Sequence, residues 1–203
     1  MQAFDGFASP RQELEQYATS PNLAARMLHI ASFQYDDIWQ KAVIDLGCGC
    51  GILSLGARLL GAGMTIGVDI DIGALQIAAR NASKVDESLD FIQADLLNCG
   101  QNGPLSIRFL ADTVIMNPPF GTKNKGADIS FLSVACHIAK TAVYSMHKTS
   151  TRKFVVRKAA QWGWQASVLA EVKFEIKACY KHHSMATRDV IVDIIRFKRL
   201  HKI

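Results

Sequence analysis

Short runs of β-branched and aliphatic residues alternate along the chain with longer segments whose apolar residues recur at helical spacing. This pattern predicts strands at residues 42–45, 64–69, 89–94 and 113–116. It predicts helices at residues 52–60, 72–82, 129–139 and 153–162. Strands that alternate with helices form a parallel sheet with helices on both faces, so we expect an α/β fold.

The two ends of the chain extend this pattern. Helical spacing at residues 12–18 and 22–33, interrupted by Ser20-Pro21, predicts N-terminal helices before the sheet. Later apolar runs predict strands at residues 143–146, 166–172 and 190–197. No helix is predicted in residues 173–188, between the last two strands, so we expect antiparallel neighbours joined by a long excursion. The sequence therefore predicts a seven-stranded, mostly parallel sheet whose last strand is antiparallel.

Length and composition are those of one globular domain. The 203 residues are 49% hydrophobic and 20% charged, which suits a buried sheet, and we expect a single domain over residues 1–203. No apolar run approaches the ~20 residues of a membrane-spanning helix, and residues 1–9 lack the basic start and apolar stretch of a secretory signal. These features predict a cytosolic or nuclear protein.

Cysteine spacing argues against a disulfide framework and against a metal site in this chain. The chain has five cysteines and no CxxC pair, and the adjacent His182 and His183 have no third ligand nearby in the sequence. We therefore expect reduced thiols and no bound metal.

Charge is distributed unevenly along the chain. Residues 1–120 contain 7 Lys or Arg and 13 Asp or Glu, whereas residues 121–203 contain 16 and 5. The second part therefore has a net charge of +11, against −6 for the first. A basic C-terminal part is typical of a surface that faces a polyanion, although a solvated lysine-rich surface gives the same count.

A glycine-rich turn follows the first predicted strand. Gly47, Gly49 and Gly51 let the backbone turn sharply and approach a ligand closely, next to the N-terminus of the following helix. The sixth position of the dinucleotide fingerprint is Ile52 instead of glycine, and Asp45 stands just before the turn. A carboxylate there would repel a pyrophosphate and attract an ammonium group, which argues against a nicotinamide cofactor.

Two further carboxylates follow the next two predicted strands. Asp69 is placed to accept hydrogen bonds from both hydroxyls of a ribose, and Asp95 from the amino group of an adenine. Together with Asp45, they match the ammonium, ribose and adenine groups of S-adenosylmethionine. Cys50 and Ile52 are expected to meet this cofactor through their backbone groups. The sequence thus predicts a class I Rossmann-like methyltransferase.

Asn117-Pro-Pro-Phe120 follows the fourth predicted strand, at the sheet edge where ligands bind in open α/β folds. The side-chain oxygen of Asn117 and the carbonyl of Pro118 can both accept hydrogen bonds from one NH2 group, and Pro119 keeps the turn rigid. An amine held in this way directs its lone pair at the sulfonium methyl. Phe120 is expected to stack on the planar group that carries the amine.

This motif alone fits more than one activity. Its geometry suits the N6 amine of adenine and also the side-chain amide of glutamine, so a protein glutamine N5-methyltransferase remains an alternative. A non-catalytic subunit that keeps the methyltransferase fold is a second alternative, although it has no need for an intact motif. A DNA adenine methyltransferase is disfavoured because no separate domain is present to recognise bases in a duplex.

Five segments of the chain resemble one known family. They are Glu15-Gln-Tyr-Ala-Thr19, Asp45-Leu-Gly-Cys-Gly-Cys-Gly51, Asn117-Pro-Pro-Phe-Gly-Thr-Lys123, Tyr144-Ser-Met-His-Lys148 and residues 193–197. They are similar to the methyltransferase-like protein five family, which installs N6-methyladenosine in small-subunit (18S) ribosomal RNA. The resemblance covers nearly the whole chain and favours RNA over glutamine. The run Lys123-Asn-Lys125 is one asparagine shorter than the family run.

The resemblance also implies cofactor contacts and a partner. It implies that Gln16 and Thr19 close over S-adenosylmethionine, and that the other contacts are Gly47, Cys50, Ile52, Asp69, Asp95 and Leu96. It further implies a heterodimer with a small zinc-binding activator subunit at one edge of the sheet, for which residues 89–92 are the candidate edge strand. The expected location is the nucleus, including the nucleolus, and the cytoplasm.

Basic residues are expected on loops at the same edge of the sheet as the Asn-Pro-Pro-Phe motif. There they could contact phosphates around an extruded base of the substrate RNA. The candidates are Lys123, Lys125, Lys148, Arg152 and Lys181.

Overall fold

The computed structural model describes residues 4–97, 111–176 and 188–200, without the side chains of residues 175, 176 and 188. The helices of the described residues are α1 (Pro21–His29), α2 (Ile52–Leu59), α3 (Ile72–Ser83), α4 (Ala127–Ile138) and α5 (Arg152–Gln161). The strands are β1 (Ala42–Leu46), β2 (Met64–Asp69), β3 (Asp90–Gln93), β4 (Ala111–Met116), β5 (Ala139–Lys148), β6 (Trp164–Ile176) and β7 (Arg188–Arg199). No helix in the described part of the chain is long and apolar enough to cross a membrane.

The strands form one seven-stranded sheet in the order β3-β2-β1-β4-β5-β7-β6. The first five strands of this order are parallel, and β7 is antiparallel to both β5 and β6. This arrangement confirms the predicted fold class and the antiparallel pairing of the last two strands. Strands β5, β6 and β7 are longer than predicted, because their backbone pairing continues beyond the apolar runs on which the prediction rested.

The carboxyl ends of the parallel strands meet at one edge of the sheet, here named the carboxyl edge. Gly47 follows β1, Asp69 ends β2 and Asn117 follows β4, so the predicted cofactor and catalytic motifs lie at this edge. The hairpin of β6 and β7 extends past it, because β5 ends where Lys148 pairs with Val192, whereas β6 continues to Ile176. The extension places Phe174 over the region that follows β4.

The predicted helix at residues 12–18 is wrong. Only a short 3₁₀ turn, Gln12–Leu14, forms there, and Glu15 adopts a left-handed backbone conformation with φ 51° that ends it. Glu15 and Gln16 turn inward: Glu15 accepts a hydrogen bond from the Lys123 backbone, and Gln16 donates one to Asp71. These tertiary contacts override the local helical preference. Residues 4–19, here named the N-terminal strap, therefore cross the carboxyl edge as an irregular segment.

A buried polar cluster fixes the segment after α1 against the sheet. The Arg196 guanidinium lies 2.9 Å from Asp37 Oδ2, and the Tyr144 hydroxyl donates to the same oxygen at 2.6 Å. The guanidinium also lies over the Tyr35 ring, 4.3 Å from its centroid. Paired and hydrogen-bonded in this way, the charges can remain buried without the cost of an isolated ion. The cluster fixes the position of the sheet relative to α1, the helix that follows the strap in the chain.

Candidate functional site

Two adjoining cavities lie under the N-terminal strap at the carboxyl edge. The first has a volume of about 250 Å³ and the second about 100 Å³. Five residues line both: Phe7, Tyr17, Gly47, Gly49 and Asn117. The cavities are therefore two parts of one cleft, which passes over the glycine turn.

The cleft brings together ten of the eleven residues predicted to bind the cofactor. Those of the first cavity are Thr19, Asp45, Gly47, Gly49, Cys50 and Ile52. The second is lined by Gln16, Gly47, Gly49, Asp69, Asp95 and Leu96. Gly51 lines neither cavity: it precedes α2 with φ 84°, and a Cβ there would lie 3.0 Å from the Cβ of Ala78. Its role is therefore the close packing of α2 on α3.

Asp45 lies at the floor of the first cavity and is almost completely buried. Its Oδ2 accepts hydrogen bonds from the Ser54 backbone N–H at 2.9 Å and from the Ser54 hydroxyl at 2.6 Å. Its Oδ1 is buried and has no hydrogen-bond partner among the described residues. Burial raises the pKa of Asp45 to about 7, and the two bonds from Ser54 oppose that rise. A buried acceptor oxygen without a partner is suited to a cationic ligand group.

Asp69 organises the glycine turn from the second cavity. One carboxylate oxygen accepts the Gly49 N–H at 2.8 Å, and the other accepts the Asp71 N–H at 2.9 Å. Burial raises the pKa of Asp69, while these backbone donors act in the opposite direction. Because each carboxylate oxygen has two lone pairs, both oxygens can still accept a hydrogen bond from a ribose hydroxyl. Asp95 lies further along the same cavity, two residues after β3.

The cysteines of the turn are poorly suited to nucleophilic chemistry. Burial raises the pKa of the Cys48 thiol well above its ordinary value and raises that of Cys50 to about 12. Since the thiolate is the reactive form, both thiols remain protonated and weakly nucleophilic at neutral pH. This agrees with the interpretation that the turn contacts its ligand through backbone groups.

Asn117 is held at the junction of the two cavities. Its side-chain nitrogen donates to the Thr19 hydroxyl at 2.9 Å, which connects the motif to the N-terminal strap. Its side-chain oxygen is buried and, within the described part of the chain, has no partner. Pro118 is buried, and Pro119 lines the second cavity. The arrangement leaves one acceptor available for a donor that enters the cleft.

Phe120 lies in the core instead of at the cleft. It is 6% exposed and packs edge-to-face against Phe174, with ring centroids 5.3 Å apart. Neither cavity is lined by Phe120. Stacking on a substrate therefore stays a prediction, and it requires the ring or the hairpin that carries Phe174 to move.

The sequence interpretation missed several residues of the cleft. Phe4, Phe7 and Asn81 line the first cavity, and Glu15 lines the second. Asn81 is completely buried and exchanges two hydrogen bonds with the Asp5 backbone, through which α3 anchors the strap. A polar residue on the apolar face of a predicted helix was the one signal that could have indicated Asn81.

The basic residues predicted to bind RNA lie near the cleft in different environments. Lys123 and Lys125 are exposed in the loop of residues 121–126, and Lys148 ends β5 at the carboxyl edge. Arg152 begins α5 and pairs with Asp193 at 2.6 Å and with Glu171 at 2.8 Å, so much of its charge is balanced. Lys181 lies outside the described residues.

Metal ligands are not clustered in the part of the chain that the structure describes. No group of three or more His, Cys, Asp or Glu side chains there is placed to hold a metal ion.

Comparison with known proteins relates the chain to methyltransferases. The model of the Ribosomal protein L11 methyltransferase (PrmA) family matches residues 28–117, the part that contains the glycine turn and the first residue of the Asn-Pro-Pro-Phe motif. The rRNA N(6)-adenosine-methyltransferase METTL5 of Danio rerio is 46% identical over 199 residues, which cover 97% of this chain and 94% of that protein.

Solved structures agree with this relationship. A crystal structure from Pyrococcus horikoshii, assigned provisionally as an RNA methyltransferase, superposes with a TM-score of 0.84 at 34% identity and covers 97% of this chain and 91% of its own. Magnesium protoporphyrin IX methyltransferase from Synechocystis, solved with bound S-adenosylmethionine, gives a TM-score of 0.65 at 16% identity over 88% of this chain and 79% of its own. At that identity the second match shows a shared fold only.

Proposed function

Since the chain belongs to the METTL5 family of rRNA N(6)-adenosine-methyltransferases, we propose that it transfers a methyl group from S-adenosylmethionine to N6 of an adenosine in small-subunit (18S) ribosomal RNA. The observation that carries this proposal is the side-chain oxygen of Asn117, a buried acceptor at the junction of the two cavities that has no partner among the described residues. The exocyclic amine of adenine would supply the hydrogen-bond donor that this oxygen lacks.

The described cleft offers an acceptor for three polar groups of S-adenosylmethionine. Asp45 would receive the ammonium group through its unpartnered oxygen, Asp69 the ribose hydroxyls, and Asp95 the adenine amine. Gly47 and Gly49 have positive φ angles of 70° and 53°, and a Cβ at either position would meet the ring of Phe131 or Phe7, so glycine is required for the turn that lines both cavities. When bound, the cofactor supplies an electrophilic methyl group on its sulfonium sulfur.

The residues of the motif orient the acceptor amine. Asn117 Oδ1 and the Pro118 carbonyl would each accept one N–H of the adenine amine, which directs the nitrogen lone pair away from both acceptors. Positioning of this kind contributes to catalysis without a strong base, because the attack becomes effectively unimolecular. The adenine would first have to leave any base-paired stack, because an enzyme cannot reach the amine of a base inside a duplex.

RNA is a better candidate substrate than glutamine in a protein. Lys123 and Lys125 are exposed immediately after the motif, where phosphates next to an extruded base would pass. A protein substrate has no comparable need for these charges. A ribosomal RNA substrate also implies that the enzyme works in the nucleolus and cytoplasm, where small subunits are assembled.

We further propose that a small zinc-binding activator subunit pairs with the β3 edge of the sheet. Strand β3 is one of the two edge strands, and the exposed apolar residues Ile70, Ile72 and Leu97 lie beside its carboxyl end. A partner strand would satisfy the free backbone groups of β3 and cover these side chains. The other edge strand, β6, exposes mainly polar residues such as Gln165, Glu171 and Lys173.

The test of the proposed function follows a labelled methyl group. The chain is co-expressed with its candidate activator and incubated with methyl-labelled S-adenosylmethionine and unmethylated small-subunit particles, followed by separate nuclease and protease digestion. Label that the nuclease releases as N6-methyladenosine supports the proposal. Label that stays with protein would instead support glutamine methylation, and binding of the cofactor without transfer would support a non-catalytic subunit.

Two substitutions separate the expected roles of the cleft residues. Asn117→Ala removes the acceptor for the amine, so we expect transfer to fall by at least about a hundred-fold while cofactor affinity stays nearly unchanged. Asp69→Ala removes a cofactor acceptor and the anchor of the glycine turn, so we expect cofactor affinity to fall first. Calorimetric titration with the cofactor distinguishes them, and equal losses of affinity in both variants would contradict this division.

A further inference from the structure

Glu15 is an unusual member of the N-terminal strap because its carboxylate is buried. Its residue is 5% exposed, although Glu13, two positions earlier, has 64% of its side chain exposed. One Glu15 oxygen accepts the backbone N–H of Lys123 at 2.7 Å. The other is buried and has no hydrogen-bond partner among the described residues. Burial of a carboxylate is costly unless hydrogen bonds compensate it, so the bond to Lys123 is needed to keep Glu15 in this position.

The Glu15 contact joins the N-terminal strap to the loop that follows the Asn-Pro-Pro-Phe motif. The strap and Lys123 are separated by 108 positions in the sequence, and Lys123 is the third residue after the Asn-Pro-Pro-Phe motif. Glu15 lines the second cavity together with Asn117, Pro119 and Asn124. A carboxylate is only an acceptor, so the direction of this bond is unambiguous, and charge-assisted bonds of this length are strong.

Neighbouring contacts follow the same path. The Asn124 side chain donates to the Glu13 backbone carbonyl at 3.3 Å, and Asn117 donates to Thr19 at 2.9 Å. On the other side of Glu15, the side chain of Gln16 donates to Asp71 at 2.7 Å, next to the turn that Asp69 organises. The strap thus contacts the cofactor side of the cleft through Gln16 and the loop of residues 121–126 through Glu15.

We propose that Glu15 is a positioning residue for the RNA substrate: its carboxylate holds the Lys123 backbone and thereby fixes the loop of residues 121–126 beside the target amine. The inference rests on the proposed function, because it assigns the loop to the RNA side of the reaction. Lys123 and Lys125 are exposed on this loop, so its position determines where their charges meet phosphate. Glu15 acts through this loop and is not required to touch the reacting atoms.

The hydrogen bond itself can be tested without activity. Amide hydrogen exchange is measured on the purified complex with the activator subunit, for the wild type, Glu15→Ala and the matched control Glu13→Ala. Loss of the bond should speed exchange of the Lys123 amide by roughly ten- to a hundred-fold in Glu15→Ala, because a charge-assisted bond is lost. Exchange at α1 should not change, and Glu13→Ala should resemble the wild type. Unchanged exchange at Lys123 in Glu15→Ala would overturn the proposal.

Kinetics then separate positioning from other roles. In Glu15→Ala we expect the KM for the ribosomal RNA substrate to rise roughly ten-fold, with the cofactor dissociation constant unchanged within about two-fold. Glu15→Gln keeps an oxygen that can accept the Lys123 N–H, so it should restore most of the RNA affinity. A Glu15→Gln variant as impaired as Glu15→Ala, or equal losses of cofactor and RNA affinity, would overturn the positioning role.

Failure of the inference and failure of the proposed function give different results. If the wild-type complex methylates no RNA, the proposed function fails, whereas the exchange measurement still decides whether Glu15 holds the loop. If the wild type methylates RNA and Glu15→Ala does so with unchanged kinetic constants, the proposed function stands and the inference fails.

Discussion

Asp45 is buried and has one oxygen without a hydrogen-bond partner in the described part of the chain, and Asp45→Asn tests what this costs the stability of the free protein. The substitution keeps an oxygen that can accept both hydrogen bonds from Ser54, so the first turn of α2 should remain intact. It removes the charge that burial disfavours. We therefore expect a more stable protein that binds S-adenosylmethionine less well.

The expected gain in stability follows from the pKa. Burial raises the pKa of Asp45 from its ordinary value of 3.8 to about 7. Because the folded-state pKa is the higher one, the contribution of Asp45 to stability is complete below about pH 4 and is lost as the pH rises to about 7. Each pH unit corresponds to about 1.4 kcal/mol, so roughly 4 kcal/mol is lost by about pH 8. Asp45→Asn avoids this loss.

Cofactor affinity should depend on pH in the opposite sense. An ammonium group is attracted by the carboxylate and not by the protonated acid, so wild-type affinity should fall by up to about ten-fold for each pH unit below about 7. The affinity of Asp45→Asn should be lower and nearly independent of pH over that range. Ser54→Ala offers a second check, because the Ser54 hydroxyl lowers the pKa of Asp45 and its loss should move the transition to higher pH.

The assay compares wild type and Asp45→Asn by urea denaturation and by calorimetric titration with cofactor at about pH 5.5 and about pH 8. The difference in unfolding free energy between the two proteins should widen with pH, since other titrating groups are common to both. A constant difference, together with a wild-type affinity that is the same at both pH values, would refute the assignment of the ammonium site to Asp45.

Two further predictions concern the fold and the partner. Arg196→Met leaves Asp37 buried without its ion pair, so the unfolding free energy should fall by about 3–5 kcal/mol in urea denaturation, and the double variant with Asp37→Asn should recover part of it. At the β3 edge, Ile72→Glu should reduce co-purification with the activator subunit, whereas Val168→Glu on the exposed side of β6, 42% exposed against 53% for Ile72, should not. Equal effects of the two glutamates would contradict the choice of edge.

The fold was largely accessible from the sequence because its signals are local. The alternation of apolar strands and helices predicts the parallel sheet, and Asp45, Asp69 and Asn117 could be placed because residues at strand ends share one edge. The same reasoning failed at residues 12–18, where helical spacing was genuine. There Glu15 gains more from the Lys123 amide than an isolated turn of helix offers, and nothing near Glu15 in the sequence indicates a partner 108 positions away.

Side-chain environments were the least predictable part of the site. Phe120 was expected at the surface of the cleft, but its ring contacts Phe174, which belongs to a hairpin whose reach depends on the exact register of β6 and β7. Likewise, Arg152 appears in the sequence as a free cation, whereas Asp193 lies opposite it only after β7 has inserted between β5 and β6. These contacts depend on pairing between distant strands, which single-sequence patterns do not encode.

The insertion of β7 between β5 and β6 also has a consequence during synthesis on the ribosome. As the nascent chain emerges, β5 is complete while the strand that covers its free edge has not been translated. That edge contains Val143, Tyr144 and Met146, all fully buried in the finished sheet. A chain arrested before Arg188 would expose this apolar ladder to other nascent chains and to chaperones. The described sheet can therefore close only after β7, the last of its seven strands in chain order, has been translated.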